Sequence, residues 1–132
     1  GTYAGKNPVQ TIVDARGVTL DLARATTAGL IINELVTNSF KYAFPPGFDC
    51  QGVRNEPCTI RVTFTCEGGS YRLIVSDNGR GLPEEIDPRS TKSLGLKLVT
   101  FLARHQLRAT TDIRTDRGTS FIFHLNKEDT IP

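Results

Sequence analysis

No stretch of this chain approaches the ~18–20 consecutive apolar residues that a membrane span requires, and no short apolar run behind a basic start marks a secretory leader. Cys-x-x-Cys spacing is also missing. Cys50, Cys58 and Cys66 are odd in number, and they read as free thiols of a reducing compartment, against a zinc site or a disulfide. Charge has no strong sign: 16 Lys and Arg face 14 Asp and Glu, for a formal net charge of +2. That balance gives no reason to expect a nucleic-acid partner or direct membrane contact, and leaves any local basic excess for small anions. Histidine is scarce. His105 falls late in a helical pattern beside Arg104 and His124 lies in a strand pattern, so both read as surface or packing residues. Opening on Gly1 with no methionine, the chain is expected to be a domain taken from something larger.

The 132 residues, 38% of them apolar, suffice for one domain with a single core. Residues 1–10 are polar with Gly and Pro and read as a linker, and 127–132 as a tail. Residues 11–15 fit a short edge strand. From 20 to 43 runs an amphipathic pattern, with Asp21 or Thr19 as its cap and Leu30, Ile31, Leu35, Val36 and Phe40 as its buried stripe. Phe44-Pro45-Pro46-Gly47 stops it, because proline cannot continue the hydrogen-bond ladder. Residues 45–58 read as a polar loop outside the core. Residues 59–66 alternate with period two, Gly68-Gly69 turns the chain, and 71–75 return as a second strand. Helical spacing resumes over 94–107, and two strands at 110–115 and 119–125 close around Asp116-Arg117-Gly118. The order strand, helix, two strands, loop, helix, two strands predicts an α+β two-layer sandwich with a mixed, mostly antiparallel sheet and helices on one face.

Chemistry gathers at four places. Glu34, Asn38 and Lys41 stand at i, i+4 and i+7, so regular helical spacing puts a carboxylate, a neutral oxygen donor and an ammonium on one face. Such a set can place a base, a hard metal ion and a phosphate together; it can equally be a solvated face. Asp77-Asn78-Gly79-Arg80-Gly81-Leu82-Pro83 follows an apolar strand. Its glycines permit close ligand approach and Asp77 can accept from an exocyclic amine, although the same residues make an ordinary Asx turn. The run is neither a dinucleotide fingerprint nor a Walker loop. Ser93-Leu94-Gly95-Leu96 opens a helix, where free N–H groups can hold phosphate or glycine merely eases the turn. Arg117-Gly118-Thr119-Ser120 reads alone as a hairpin turn.

In this fixed order the four segments resemble the nucleotide-binding boxes of the Bergerat fold, the GHKL ATPases shared by DNA gyrase B, the ninety-kilodalton heat-shock chaperone, histidine kinases and MutL. The resemblance spans about residues 11–126. Residues 34–45, Glu-Leu-Val-Thr-Asn-Ser-Phe-Lys-Tyr-Ala-Phe-Pro, are most similar to sensor histidine kinase catalytic domains. The short stretch between Gly81 and Gly95, with no phenylalanine-bearing box, is similar to the subgroup with a short lid.

This resemblance implies binding of ATP and Mg²⁺. Asp77 would take the adenine amine with Thr119 in support, and Gly79, Gly81 and Leu82 would lie against the base. Asn38 would ligate Mg²⁺; Lys41, Tyr42 and Lys92 would contact phosphates; Gly95 and Leu96 would cap the lid. Arg80, Arg89 and Lys97 are further cations within reach. Glu34 and Lys41 are the catalytic candidates, with Glu34 either accepting a proton, orienting the acceptor, or holding a metal-bound water. The implied activity is phosphotransfer to a histidine on a separate dimerisation domain of the same parent, with a response regulator downstream. Its implied place is the cytoplasm, whether or not the parent is membrane-anchored. The alternatives are an anti-sigma-like serine kinase, an ATP hydrolase, or a binding-only nucleotide module. Two departures stand out: Arg108-Ala109 replaces an expected glycine pair, and the 46–57 insert is long for the subgroup.

Overall fold

A computed structural model describes residues 8–81 and 94–127. Five strands form one sheet: β1 (Val9–Asp14), β2 (Cys58–Glu67), β3 (Ser70–Asp77), β4 (Thr110–Arg114) and β5 (Ser120–Asn126). Their order is β1-β2-β3-β5-β4, with β1 parallel to β2 and every other pair antiparallel. The expected mixed sheet is therefore present, with β1 beginning two residues earlier than its sequence pattern.

The β2–β3 hairpin turns where the sequence places it. Gly68 and Gly69 both take positive φ, 58° and 83°, the backbone that a tight two-residue hairpin demands. Period-two alternation then sends Val62, Phe64, Leu73 and Val75 to one face, where Phe121 and Phe123 of β5 join them. Helices α1 (Leu22–Asn38) and α3 (Leu94–Phe101) cover that face through Ile31, Leu35, Leu96 and Val99.

Asp21 caps α1. Its Oδ1 accepts from the Arg24 N–H at 2.9 Å and its Oδ2 from Arg24 Nε at 2.8 Å. The buried Arg24 guanidinium also donates to the Asn126 carbonyl, pinning the helix start to the end of β5. Thr19, the other candidate cap, instead offers its carbonyl to the Tyr71 hydroxyl at 2.7 Å.

Four expectations need correction. The long helix changes character at Ser39, and residues Ser39–Ala43 form a π-helical turn. Phe40 and Leu30 are exposed, because each stands five residues from the buried Leu35, about 140° around a helix of 3.6 residues per turn. The segment 45–58 is not wholly a loop outside the core. It carries α2 (Cys50–Arg54), and Cys50 and Cys58 are buried with Ala43, Phe44 and Ile60 in a second apolar cluster. Finally, Cys50 and Cys58 are not free thiols but a disulfide, their Cα atoms 5.2 Å apart. The insert folds back over the start of β2 and brings them together, which spacing alone does not reveal. Cys66 is free and exposed, as expected.

Candidate functional site

Asp77 closes β3 and points inward, since it follows Leu73 and Val75 at period two. Its side chain is buried and engaged at both oxygens, with one acceptor site left on Oδ2: Oδ1 accepts from the Gly79 N–H at 3.0 Å and the Thr119 N–H at 3.2 Å, and Oδ2 from the Ser39 hydroxyl at 2.9 Å. Burial raises its pKa above the ordinary 3.8. The Gly79, Ser39 and Thr119 donors and the Arg54 guanidinium pull it back down.

Backbone approach fixes the loops around this carboxylate. The Arg80 N–H donates to the Ala43 carbonyl at 2.9 Å, tying the loop after β3 to the end of the π turn. A Cβ on Gly79 would strike that same Ala43 oxygen, and one on Gly118 would strike the Asp77 carbonyl. Asn78 is anchored through its side chain: Oδ1 accepts from the Thr59 N–H, and Nδ2 donates to the Glu56 carboxylate and the Pro57 carbonyl. Arg54 donates to the Asn78 and Gly79 carbonyls at 3.1 and 2.8 Å. Ser39, Asn78 and Arg54 are contributors that sequence patterns did not single out. Ser39 faces inward because it stands four residues after the buried Leu35, and Arg54 is placed by the insert.

A cleft opens on this carboxylate, lined by Leu35, Asn38, Ser39, Asp77, Gly81, Leu96, Thr119 and neighbouring apolar atoms. Its free volume is about 10 Å³, room for about one water, so the lining side chains must part to admit anything larger. Two buried polar atoms at the cleft lack partners among the described residues: Asn38 Nδ2 and Thr119 Oγ1. Buried polar groups are rarely left so, and both belong to residues that face the cavity.

Thus the fold assembles Asn38, Asp77, Gly81, Leu96 and Thr119, with Gly79 directly behind and Gly95 beside Leu96. Lys41 is not brought in. It is exposed and lines a different groove with Val9, Thr37, Phe40, Phe44 and the two prolines, because the wider π winding carries it further from Asn38 than regular spacing would. Tyr42 is half-buried, and its carbonyl accepts from Arg80 Nε at 2.9 Å. Glu34 is half-buried one turn before Asn38 and does not line the cleft. Lys97 is exposed, while Leu82, Arg89 and Lys92 lie outside the described residues. His105 packs on Phe101 with centroids 4.9 Å apart, and His124 pairs with Asp112 at 3.4 Å, in keeping with surface roles. Arg108, in place of the expected glycine, holds a positive φ of 54°.

A buried acceptor with an unpaired hydroxyl beside it, on a mixed sheet covered by helices, defines the class: a nucleotide-binding α+β domain. Comparison with known proteins agrees. Residues 23–129 match the family described as "Histidine kinase-, DNA gyrase B-, and HSP90-like ATPase", and the chain belongs to that family. Sensor histidine kinase PdtaS of Mycobacterium tuberculosis is 31% identical over 108 residues, covering 80% of this chain and 20% of PdtaS. Blue-light-activated histidine kinase 2 of Erythrobacter litoralis is 28% identical over 100 residues, covering 76% of this chain and 27% of the relative. The chain thus spans only 20% and 27% of the length of these two kinases. Among solved structures, the histidine kinase domain of the Erythrobacter litoralis EL346 blue-light activated kinase aligns with a TM-score of 0.72 at 25% identity, over 89% of this chain and 54% of that one. The chain is an ATP-binding catalytic domain of the sensor histidine kinase kind. Among the described residues, no helix is long and apolar enough to cross a membrane.

Proposed function

We propose that this domain binds ATP in the Asp77 cleft and passes the γ-phosphate to a histidine on a separate dimerisation domain of its parent, from which a response regulator takes it. The observation that carries this reading is the buried Asp77 carboxylate with the unpartnered Thr119 hydroxyl beside it, a set suited to an exocyclic amine. Gly81, at φ 85° and with only ordinary contacts around a hypothetical Cβ, leaves backbone open to the base. Leu96 forms an apolar wall, with Gly95 beside it in sequence, and Leu82, next to Gly81 in sequence, is assigned to the base.

The residues fit Mg²⁺ as an ion that arrives with the nucleotide. Asn38 is buried at the cleft; its oxygen is a hard neutral donor of the type Mg²⁺ accepts alongside phosphate and water, and its unsatisfied NH₂ can donate to a phosphate oxygen. Among the described residues, no group of three His, Cys, Asp or Glu could hold a metal alone. When bound, Mg²⁺ supplies neutralisation of phosphate charge. Lys41, Tyr42 and Lys92 serve the phosphates, and Lys41 must swing inward past the π turn to do so. Glu34 receives the acceptor's proton or orients water. A neutral imidazole is already nucleophilic, so transfer relies mainly on positioning and charge neutralisation. We place the domain in the cytoplasm, with no nucleic acid among its partners.

Incubation with ATP, Mg²⁺ and the parent's phosphoacceptor domain in trans tests this directly, and acid-labile phosphohistidine is the expected product. Steady phosphate release without any acceptor would identify a hydrolase instead, and absence of nucleotide binding would overturn the reading.

A further inference from the structure

The insert between the π turn and β2 does more than fill space. Its disulfide joins the first residue of α2 to the first residue of β2, eight positions apart. From the ring so formed, Arg54 grips the Asn78 and Gly79 carbonyls, and Glu56 and Pro57 accept both Asn78 amide hydrogens. Thr59, just past the ring, completes the clamp by exchanging hydrogen bonds with Asn78. Every one of these bonds ends on the loop whose Gly79 N–H orients Asp77.

We propose that Cys50 and Cys58 are a reversible redox site that sets how firmly the 78–80 loop, and through it the nucleotide cleft, is held. Two features make the clamp depend on the bond. Helix α2 is a single turn of five residues with no side-chain cap at its start, too short to hold its own shape. Beyond the Arg54 bonds to the loop, it is held by the burial of Cys50 and the contact of Arg54 over the Phe48 ring, 5.9 Å to the centroid. Residues 51–53 are exposed, so fraying of this turn opens Cys50 to small thiols and peroxides.

The chemistry balances with a hydroperoxide as oxidant. One thiol reacts with H₂O₂ to give a sulfenic acid and water; the second thiol then displaces water as the sulfur–sulfur bond forms. Two electrons and two protons leave the protein. A dithiol reductant returns them by exchange.

The ligand half of this inference rests on the nucleotide reading above, so the experiment carries a readout that does not. In a Cys66→Ser background, thiol titration counts none when oxidised and two when reduced, which verifies each state. Hydrogen exchange of the ligand-free protein is then compared. Reduction should accelerate the Asn78, Gly79 and Arg80 amides and leave Leu73 to Val75 unchanged. Each loop hydrogen bond that weakens contributes about threefold to tenfold. Calorimetry with an ATP analogue and Mg²⁺ should show a parallel loss of affinity. Arg54→Ala, which keeps the disulfide but leaves the Glu56 and Pro57 bonds, should reproduce part of the reduced behaviour while oxidised and respond less to reductant than wild type. Unchanged exchange between verified redox states, or a redox effect as large in Arg54→Ala as in wild type, would overturn the inference alone. Absence of nucleotide binding in both states, with exchange still responding, would overturn the nucleotide reading and the ligand half with it.

Discussion

Asp77→Asn separates the fold from the ligand by changing one atom. The amide keeps an oxygen for the Gly79 and Thr119 N–H groups and offers an NH₂ to the Ser39 hydroxyl, so the loops stay satisfied. What disappears is a charge in a buried site. Burial lifts the Asp77 pKa above 3.8, and its donors and Arg54 do not cancel the rise. With the folded pKa above the unfolded one, the folded state binds more protons between the two values. Stability therefore falls as pH rises through that window, and the ionised carboxylate remains a burden at neutral pH. The asparagine variant is neutral throughout. Unliganded, it should melt at or above the wild-type temperature at pH 7, with the difference vanishing below the ordinary carboxylate value. Binding should move the other way. A hydrogen bond to a charged acceptor is worth about 1.5–3 kcal/mol, so ATP affinity should drop by about ten- to a hundredfold. Calorimetry and circular dichroism melts between about pH 3 and 7, spanning the ordinary carboxylate value, measure both arms. A folded variant that binds within about twofold of wild type, or one that melts well below it at pH 7, would refute the reasoning.

Gly118→Ala should destabilise by at least about 1–3 kcal/mol in denaturant unfolding, because φ is 91° and the new methyl meets the Asp77 carbonyl; a loss under about 0.5 kcal/mol, the range of ordinary surface changes, would contradict that contact. Arg108→Gly should raise the thermal midpoint by about 2–4 °C by relieving a left-handed backbone at an exposed position, and an unchanged or lower midpoint would refute the strain. Asn38→Ala should bring ATP affinity in Mg²⁺ close to that measured in a chelator, whereas a retained Mg²⁺ dependence would move the metal ligand elsewhere.

Local chemistry made much of the fold legible. Alternation over β2 and β3 and the paired glycines between them specify a hairpin whatever the rest of the chain does, and the register follows. Asp77 was legible for the same reason: an acidic residue ending an apolar strand at the inward phase must meet a donor set or stay out of the core. The face of α1 was legible only as far as Asn38. Face arithmetic assumes one winding throughout, and the π turn that begins at Ser39 breaks it, carrying Lys41 away from the cleft. The disulfide and Arg54 lay out of reach because both depend on where a polar insert docks, which no local pattern encodes.

The glycines show how a motif can be read correctly and for an incomplete reason. Close ligand approach was the expected role of both Gly79 and Gly81, yet their surroundings differ. Gly79 is pressed against Ala43, and any side chain there collides with protein before a ligand arrives. Gly81 has open surroundings, lines the cleft and is constrained only by its φ of 85°. Gly118 belongs with Gly79: it lets the last hairpin close on the Asp77 backbone, which sets the Thr119 N–H on the carboxylate. Two of these three glycines therefore build the acceptor by packing loop against loop, and Gly81 alone leaves backbone free for the base. Substitution at Gly79 or Gly118 should then cost stability and binding together, while Gly81→Ala should act on the local backbone beside the ligand.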